Sequence, residues 1–326
     1  MHHQYKLMPQ KTAIVILNWN GKELLERFLP SVIKFKDDNS EIIIADNYST
    51  DDSVSFLKAT YPQLRLILND KNYGFAEGYN LALKQIETEY YILLNSDIEV
   101  TANWAKGIID FMEQNPDVAV CQPRIRSYRE PELFEYAGAC GGYIDKLGYP
   151  FCRGRLFQSI EKDHGQYNDI REIFWASGAC FFIRAKLFHQ AGGFDGDFFA
   201  HMEEIDLCWR LKNMGHRVFV YPDSIIYHVG GATLDKMSPR KTFLNFRNNL
   251  SLIYKNIPGD KLHSVLFKRV FLDMLAAFSF IFSGGFRHFG AVISAYYAFY
   301  KSLKKIRYKR KAIPHHMSVA FIVNLL

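Results

Sequence analysis

Apolar and polar positions alternate in blocks along the first hundred residues, and these blocks predict strands and helices in turn. Four short apolar runs are typical of buried strands, at residues 12–17, 41–45, 64–68 and 90–94. Apolar residues at helical spacing predict helices over 22–34, which Pro30 interrupts, and over 53–60. A third helix is expected after the loop 72–78. Strands that are apolar on both faces and separated by helices indicate an α/β fold with a parallel sheet and right-handed crossovers.

Polar residues follow each of these predicted strands. They are Asn18 to Gly21, Asp46 and Asn47, the loop 72–78, and Asn95 to Asp97. Sheets of this kind bind ligands at the carboxyl ends of their strands, where the four segments would meet. We therefore expect one polar, acid-containing binding site along this edge of the sheet.

Asp97 is a candidate ligand of a hard divalent cation at this edge. Mg²⁺ and Mn²⁺ are held by one or two carboxylates together with substrate phosphates, so a complete protein cage is unnecessary. His228, at the end of a later predicted strand, is a candidate second ligand. Both residues also have a structural interpretation, Asp97 as the N-cap of a helix over 102–114 and His228 as an ordinary strand-end histidine. The residue pattern alone leaves these alternatives open.

Three further residues at the same edge suit a nucleotide ligand. The carboxylate of Asp46 is placed to accept hydrogen bonds from a ribose or a base. The ring of Trp19 is a candidate for stacking on a base, and a position in the core is equally compatible with it. Gly74 would let the backbone approach a ligand closely. No G-x-G-x-x-G follows the first strand, which argues against a Rossmann oxidoreductase.

The densest group of acids opens a predicted helix over 202–214. Glu203, Glu204 and Asp206 stand in its first turn, where the helix dipole by itself favours negative charge. However, three carboxylates in four positions repel one another, and one of them is a candidate general base with a raised pKa. Two strands are expected after this helix, over 217–221 and 225–228.

The C-terminal region differs from the rest of the chain in its charge and its pattern. Residues 261–326 contain eleven Lys or Arg and one acid, a net charge of +10, whereas residues 1–260 carry −4. The uncharged segments 274–286 and 288–300 are both shorter than the roughly 20 residues that span a bilayer. Seven Lys or Arg then follow between residues 301 and 311.

This pattern predicts short aromatic helices that lie on an anionic membrane surface. The alternative is a helical hairpin that packs on the body with a solvated basic face. We therefore divide the chain into a domain over 1–255 and a helical, aromatic and basic region over 256–326.

Composition excludes several classes of protein. With 48% hydrophobic and 23% charged residues, the chain is not intrinsically disordered. Its five cysteines show no C-x-x-C spacing, so neither a disulfide framework nor a zinc knuckle is expected. The basic run lies beside aromatic segments, which favours lipid over nucleic acid as its partner. Residues 1–11 are polar and predict no secretory signal, so we expect a cytoplasmic protein, peripheral on the inner face of the cell membrane.

Six motifs in order resemble those of family 2 glycosyltransferases with the GT-A fold, and within that family the rhamnosyltransferase-like members of bacterial polysaccharide synthesis. They are Asn-Trp-Asn-Gly at 18–21, Ala-Asp-Asn-Tyr-Ser-Thr-Asp-Asp at 45–52, Asn-Tyr-Gly-Phe-Ala-Glu-Gly-Tyr-Asn at 72–80, Leu-Leu-Asn-Ser-Asp at 93–97, Glu-Glu-Ile-Asp-Leu-Cys-Trp-Arg at 203–210 and His-Val-Gly-Gly-Ala-Thr at 228–233. The resemblance covers roughly residues 12–250. It implies a Rossmann-like, mostly parallel sheet flanked by helices.

The resemblance also implies inverting transfer of a sugar from a nucleotide-diphosphate sugar to a hydroxyl of a glycan or a lipid-linked acceptor. The residues that it implicates on the donor side are Trp19, Asn20, Asp46, Gly74, Asn95 and Asp97. It implies that Asp97 and His228 bind a divalent cation, Mg²⁺ or Mn²⁺, which bridges the diphosphate.

On the acceptor side, the resemblance implicates Ser177, Gly178 and Glu203, and it makes Glu204 the base that deprotonates the acceptor, with Glu203 and Asp206 as competitors. The chain departs from the family pattern at two positions, where Asn95 replaces the first Asp of an Asp-x-Asp motif and Glu204 replaces an Asp. These departures keep a second hypothesis open, a nucleotide-sugar-binding member of a glycan-assembly complex without turnover.

Overall fold

The structure is a computed structural model that describes residues 10–136, 138–156, 159–230, 238–283 and 285–313. Its strands are β1 (Thr12–Asn18), β2 (Ser40–Asp46), β3 (Arg65–Leu68), β4 (Tyr90–Asn95), β5 (Ile98–Val100), β6 (Val118–Ser127), β7 (Gly142–Ile144), β8 (Pro150–Cys152), β9 (Arg155–Leu156), β10 (Ser159–Ile160), β11 (Arg171–Glu172), β12 (Cys180–Arg184) and β13 (Arg217–His228). Its helices are α1 (Lys22–Phe35), α2 (Ser53–Thr60), α3 (Gly74–Leu83), α4 (Lys106–Gln114), α5 (Ala185–Gln190), α6 (Glu203–Asn213), α7 (Pro239–Asn256), α8 (Gly259–Ser283) and α9 (Phe286–Lys311).

Nine of the described strands form a central sheet that confirms the predicted α/β class, and β7 with β8 and β9 with β10 form two small separate sheets. Strands β3, β2, β1 and β4 are parallel neighbours in that order, with β12 antiparallel beside β4. β6 follows β12, and β13 runs parallel to β6. Asn18 at the end of β1 lies opposite Asp46 at the end of β2, so the polar segments after these strands meet at one edge.

Both faces of the sheet are buried, as the apolar runs predicted. Along β1, Ala13 and Val15 belong to the hydrophobic core on one side, whereas Ile14 and Ile16 belong to the core on the other side. This arrangement follows from the two-residue period of a strand, which sends neighbouring side chains to opposite faces.

Several predicted boundaries were wrong. The helix after β3 begins already at Gly74, so the loop before it is shorter than expected. α1 continues through Pro30. The two strands expected over 217–228 are one strand, β13, with a register shift between Tyr221 and Ile225 that accommodates Pro222. Asp97 does not cap a helix, because β5 follows it directly.

The C-terminal region forms two long helices, α8 and α9, of 25 and 26 residues, where shorter ones were expected. A buried group of charges fixes α8 to the body. Asp273 pairs with Arg269 and accepts hydrogen bonds from Tyr149 at 2.7 Å and from Tyr296 at 2.8 Å. Within the described ranges, no helix is long and apolar enough to cross a membrane.

Candidate functional site

Asp97 and His228 lie side by side at the carboxyl edge of the sheet. Nε2 of His228 is 3.1 Å from Oδ1 of Asp97, although 131 residues separate them in sequence. The pairing of β5 with β13 brings them together, since His228 lies opposite Ile98, the residue after Asp97. The side-chain nitrogen of Asn95 is 3.5 Å from the same ring nitrogen. The two candidate metal ligands and Asn95 therefore form one cluster.

A second carboxylate, which the sequence pattern does not predict, lies beside this histidine. Oε1 of Glu135 is 3.5 Å from Nδ1 of His228, on the other side of the ring. Burial opposes protonation of His228, but the charges of Asp97 and Glu135 outweigh burial and raise its pKa to about 10. Burial likewise disfavours the charged form of Asp97, yet the charge of His228 lowers the pKa of that carboxyl. Glu135 carries no local motif that would have identified it.

Asp46 and Asn20 organise the loops that follow β1 and β2. Asp46 is buried and accepts hydrogen bonds from the side chain of Asn18 at 3.0 Å and from the backbone of Ser49 at 2.9 Å. Oδ1 of Asn20 accepts from the backbone of Thr50 at 2.7 Å. Asn20 has a φ of 50°, in the left-handed region that Asn tolerates better than most residues. These bonds hold the two strand ends together.

Two aromatic side chains at these strand ends face solvent. Trp19, after β1, is 45% exposed, which excludes the core position considered for it. Tyr48, after the neighbouring strand β2, is 55% exposed and has a φ of 67°. Exposed rings that project from fixed loops provide flat apolar surfaces on which a base can stack. Tyr48 was overlooked, since a single Tyr in a loop gives no distinctive signal.

Gly74 begins α3, with a φ of 74°, and packs against the segment before α6. A Cβ atom on Gly74 would lie 2.5 Å from the ring of Phe199. The carbonyl oxygen of Phe199 also accepts a hydrogen bond from the backbone of Phe75 at 2.7 Å. This packing by itself requires glycine at position 74, and it connects the predicted donor side to the segment that carries the acids.

Ser177 and Gly178 form the loop before β12, between the metal-ligand candidates and the acids. The carbonyl oxygen of Ala179 accepts a hydrogen bond from the backbone of Asn95 at 2.9 Å. A Cβ atom on Gly178 would lie 3.9 Å from Cβ of Glu204 and 3.6 Å from the ring of Phe75. Consequently this loop joins the end of β4 to the start of α6.

The three acids at the start of α6 have different environments. Asp206 is neutralised by Arg210 at 2.8 Å and Lys255 at 2.9 Å, and these cations outweigh burial and lower its pKa. Burial raises the pKa of Glu204 to about 7 and, together with the charge of Glu204, raises that of Glu203 well above its usual value. Oε2 of Glu203 and of Glu204 is buried without a hydrogen-bond partner among the described residues.

A strained segment leads into these acids and is held by α7. Phe199, His201 and Met202 all have positive φ values, between 64° and 74°, which are unfavourable for residues other than glycine. The side-chain nitrogen of Asn248 donates to the carbonyl oxygens of Phe198, Ala200 and His201 at 2.8 to 3.0 Å. The tertiary contact with α7 therefore compensates the backbone strain.

At this edge of the sheet, Asp97 and His228 form a pair of side chains that suits a divalent cation. In the described part of the chain, no group of three or more His, Cys, Asp or Glu side chains is arranged to hold a metal ion. Asp97 would supply one carboxylate, and His228 would supply one imidazole after it releases its proton. A nucleotide diphosphate supplies further oxygen ligands in sites of this type. The structure describes only the first three residues of the motif at 228–233, because Gly231 to Thr233 lie outside the described residues.

Comparisons with solved structures identify the fold. The chain superposes on GalNAc-T7 with UDP, GalNAc and Mn²⁺ at a TM-score of 0.60 and 15% identity, over 79% of this chain and 50% of that one. It superposes on the mannosyltransferase PcManGT from Pyrobaculum calidifontis, in complex with GDP-Man and Mn²⁺, at a TM-score of 0.53 and 14% identity, over 91% and 76% of the two chains. At this identity the likeness shows the fold alone, and it confirms the GT-A prediction.

Sequence comparisons identify the family. An N-acetylglucosaminyl-diphospho-decaprenol L-rhamnosyltransferase from Mycobacterium tuberculosis is 26% identical over 245 residues, 69% of this chain and 78% of that protein. A hexosyltransferase of low-salt glycan biosynthesis from Haloferax volcanii is 20% identical over 72% of this chain and 73% of its own. The sequence model of Glycosyl transferase family 2 matches residues 13–192, more than half of the chain. The protein therefore belongs to glycosyl transferase family 2, and it is a glycosyltransferase.

Proposed function

We propose that this enzyme transfers a sugar from a nucleotide-diphosphate sugar to a hydroxyl of a glycan or lipid-linked acceptor, with inversion at the anomeric carbon. The observation that carries the proposal is the position of Glu204. Glu204 lies against Gly178. The next residue, Ala179, is hydrogen-bonded to Asn95, which belongs to the Asp97–His228 cluster. Burial raises the pKa of Glu204 to about 7. A base needs this combination of nearness and proton affinity.

In the proposed step, the carboxylate of Glu204 takes the proton of the acceptor hydroxyl while the hydroxyl oxygen bonds to the anomeric carbon. The bond between this carbon and the diphosphate oxygen breaks, and the nucleoside diphosphate leaves with the electron pair. Attack opposite the leaving group inverts the configuration and requires no covalent nucleophile. Glu203 is buried beside Glu204 and is the competing base.

Asp97 and His228 would hold a divalent cation, Mg²⁺ or Mn²⁺, which neutralises charge on the departing diphosphate when bound. Trp19 and Tyr48 would bind the nucleobase, and Asn20, Asp46 and the backbone at Gly74 would shape the donor pocket. The role of Asp46 is indirect in this proposal, because its carboxylate is buried and accepts hydrogen bonds from Asn18 and Ser49.

The rhamnosyltransferase from Mycobacterium tuberculosis is named for a lipid-diphosphate acceptor. By analogy, we propose a rhamnosyl donor and a lipid-linked acceptor in bacterial surface polysaccharide synthesis, with the enzyme peripheral on the inner face of the cell membrane. This substrate class fits a basic C-terminal region that meets an anionic surface.

A screen of nucleotide sugars tests the proposal in two stages. A donor that binds the native state raises the melting temperature in the presence of Mn²⁺ or Mg²⁺. Transfer from this donor is then compared for Glu204→Gln and Glu203→Gln. We expect Glu204→Gln to abolish transfer and keep donor binding, whereas Glu203→Gln retains turnover. Donor binding without transfer by the wild-type protein to any acceptor would support the non-catalytic alternative, and unchanged turnover in Glu204→Gln would exclude Glu204 as the base.

A further inference from the structure

The exposed apolar side chains of the described chain are concentrated on the C-terminal hairpin of α8 and α9. Of the seventeen large hydrophobic side chains that are exposed, twelve lie between Phe267 and Tyr308. Soluble surfaces usually distribute such side chains singly, whereas a contiguous apolar area marks a site of interaction. The hairpin is therefore the part of the described surface that most requires a partner.

Five of these side chains form one stripe along α8, which we call the α8 stripe. Its members are Phe267, Phe271, Leu275, Phe278 and Phe282. Their spacing of three and four residues places them on one face of the helix. At 1.5 Å per residue the stripe is about 22 Å long. Phe282 is 91% exposed and Phe267 is 80% exposed, so the body does not cover either end.

The opposite face of α8 holds the helix firmly on the body. Arg269, Asp273 and Ala277 are buried there, and Arg269 stacks its guanidinium 3.8 Å from the ring centroid of Tyr149. The stripe faces outward because the buried residues Arg269, Asp273 and Ala277 hold the opposite face of α8 against the body. A rotation of α8 that buried the stripe would expose the Arg269–Asp273 pair and break its hydrogen bonds.

The charges around the stripe indicate the partner. Exposed cations are present on both helices of the hairpin, among them Lys261, Lys268, Arg287, Lys301, Lys304 and Lys311. Asp273, the one acid between residues 261 and 326, is buried. Two lysines of the basic run have a different role, since Lys305 pairs with Asp197 at 2.5 Å and Lys309 pairs with Asp197 and Asp195.

We infer that the α8 stripe docks into the interfacial layer of an anionic lipid leaflet, with the exposed lysines of the hairpin on the lipid headgroups. Aromatic side chains with adjacent lysines are typical of helices that lie in this layer. A second copy of the chain is a poorer occupant, because it would bring two basic surfaces together and like charges repel across an interface. The inference deepens the proposed function and rests on it for the lipid-linked acceptor.

Vesicle flotation of the full chain tests the docking without any sugar transfer. Vesicles of phosphatidylcholine are compared with vesicles that also contain phosphatidylglycerol. The variant Phe271→Gln/Phe278→Gln removes the middle of the stripe, and Leu156→Gln/Ile170→Gln is its matched control, since both of those side chains are exposed outside the hairpin. All four positions are exposed, so each protein should fold, which circular dichroism verifies.

We expect the wild type and the control to float with the anionic vesicles, and the stripe variant to bind at least about tenfold more weakly. Lys301→Gln/Lys304→Gln should weaken binding at low salt and have little effect at high salt, where surface charges are screened. Equal binding of the stripe variant and the wild type overturns the inference. The inference is also overturned if sedimentation shows that the wild type is a dimer and the stripe variant a monomer, while neither protein binds vesicles. Transfer to a water-soluble acceptor should be unchanged in the stripe variant, so the proposed function and the docking can fail separately.

Discussion

The side-chain nitrogen of Asn248 lies 2.8 Å from the carbonyl oxygen of His201. Asn248 is completely buried in α7, and the same nitrogen reaches two further carbonyl oxygens of the segment that precedes Glu203. This contact connects the C-terminal helices to the acids of the candidate site. It indicates that Asn248 is a positioning residue for Glu204.

Replacement of Asn248 by Ala should reduce kcat more than it changes KM for the donor, by about tenfold or more, because the strained segment loses its hydrogen-bond donor. We also expect unfolding to become easier by about 1–3 kcal/mol, since buried carbonyl groups lose a partner. Asn245→Ala, in the same helix, is the control. The pH–rate profile distinguishes positioning from a purely structural effect, since a displaced Glu204 changes its apparent pKa. A lower melting temperature with unchanged kcat and pH profile would contradict the role.

The activity should depend on pH through Glu204. A base acts in its ionised form, and burial raises the pKa of Glu204 to about 7. We therefore expect kcat/KM to rise with pH and to level off above about pH 7, in a profile measured between pH 5 and 9. A flat profile over this range would argue against a buried carboxylic acid as the base.

The same carboxyl should reduce stability at high pH. The folded-state pKa of Glu204 lies above its unfolded value of 4.5, so the native state binds the proton more tightly. Its contribution is fully present below pH 4.5 and is lost as the pH rises through about 7. Glu204→Gln should therefore be more stable than the wild type at pH 8, by on the order of 1–3 kcal/mol. Thermal unfolding at pH 4 and pH 8 measures this, and equal stabilities at pH 8 would contradict a raised pKa of the Glu204 carboxyl.

The exposed rings of Trp19 and Tyr48 should contribute to nucleotide affinity. Stacking of a base on an aromatic ring is worth about 1–3 kcal/mol, so Trp19→Ala or Tyr48→Ala should weaken nucleoside diphosphate binding by about tenfold. Leu68→Ala is a suitable control, because Leu68 is equally exposed at the end of the neighbouring strand β3. Calorimetry with a panel of nucleoside diphosphates measures the effect, and affinities unchanged from the wild type would remove both rings from the donor pocket.

Asp97 should couple nucleotide binding to a divalent cation. We expect Mn²⁺ to increase nucleoside diphosphate affinity in the wild type and to lose this effect in Asp97→Asn and His228→Ala. Asp110→Asn is the matched control, because Asp110 lies in α4 and forms an exposed pair with Lys106 rather than belonging to the Asp97–His228 cluster. Calorimetry with and without Mn²⁺ decides the question. An equal gain from Mn²⁺ in the Asp97 variant would place the cation elsewhere.

Much of the first half of the chain could be predicted from its residues. The apolar runs of β1, β2 and β4 are buried on both faces, whereas β3 is partly exposed at the edge of the sheet. The order of these runs along the chain gives the parallel sheet. The polar residues after each strand then identify the edge at which the site lies. Element ends were less predictable, because Gly74 packs against the distant Phe199, and because β13 continues past Pro222 through a register shift in its pairing with β6.

The candidate site was predicted in its residue types, with the family motifs, and not in its internal contacts. Glu135 and Asn248 could not be predicted, because their contacts are with residues distant in sequence and neither belongs to a local motif. The roles of the three acids in α6 also could not be separated in the sequence. Lys255, which neutralises Asp206, lies 49 residues further along the chain.

The periodicity of apolar residues and the motifs at strand ends determined the α/β class, the family and the edge that carries the site, because each depends on residues that are close in sequence. The tertiary structure alone decided which carboxylates keep a counter-charge, which backbone strain is compensated and which face of α8 remains uncovered. These properties depend on burial and on contacts between segments that are distant in sequence, from 47 residues for Asn248 and His201 to 131 residues for Asp97 and His228. The chain therefore encodes its chemistry locally and positions it through long-range packing.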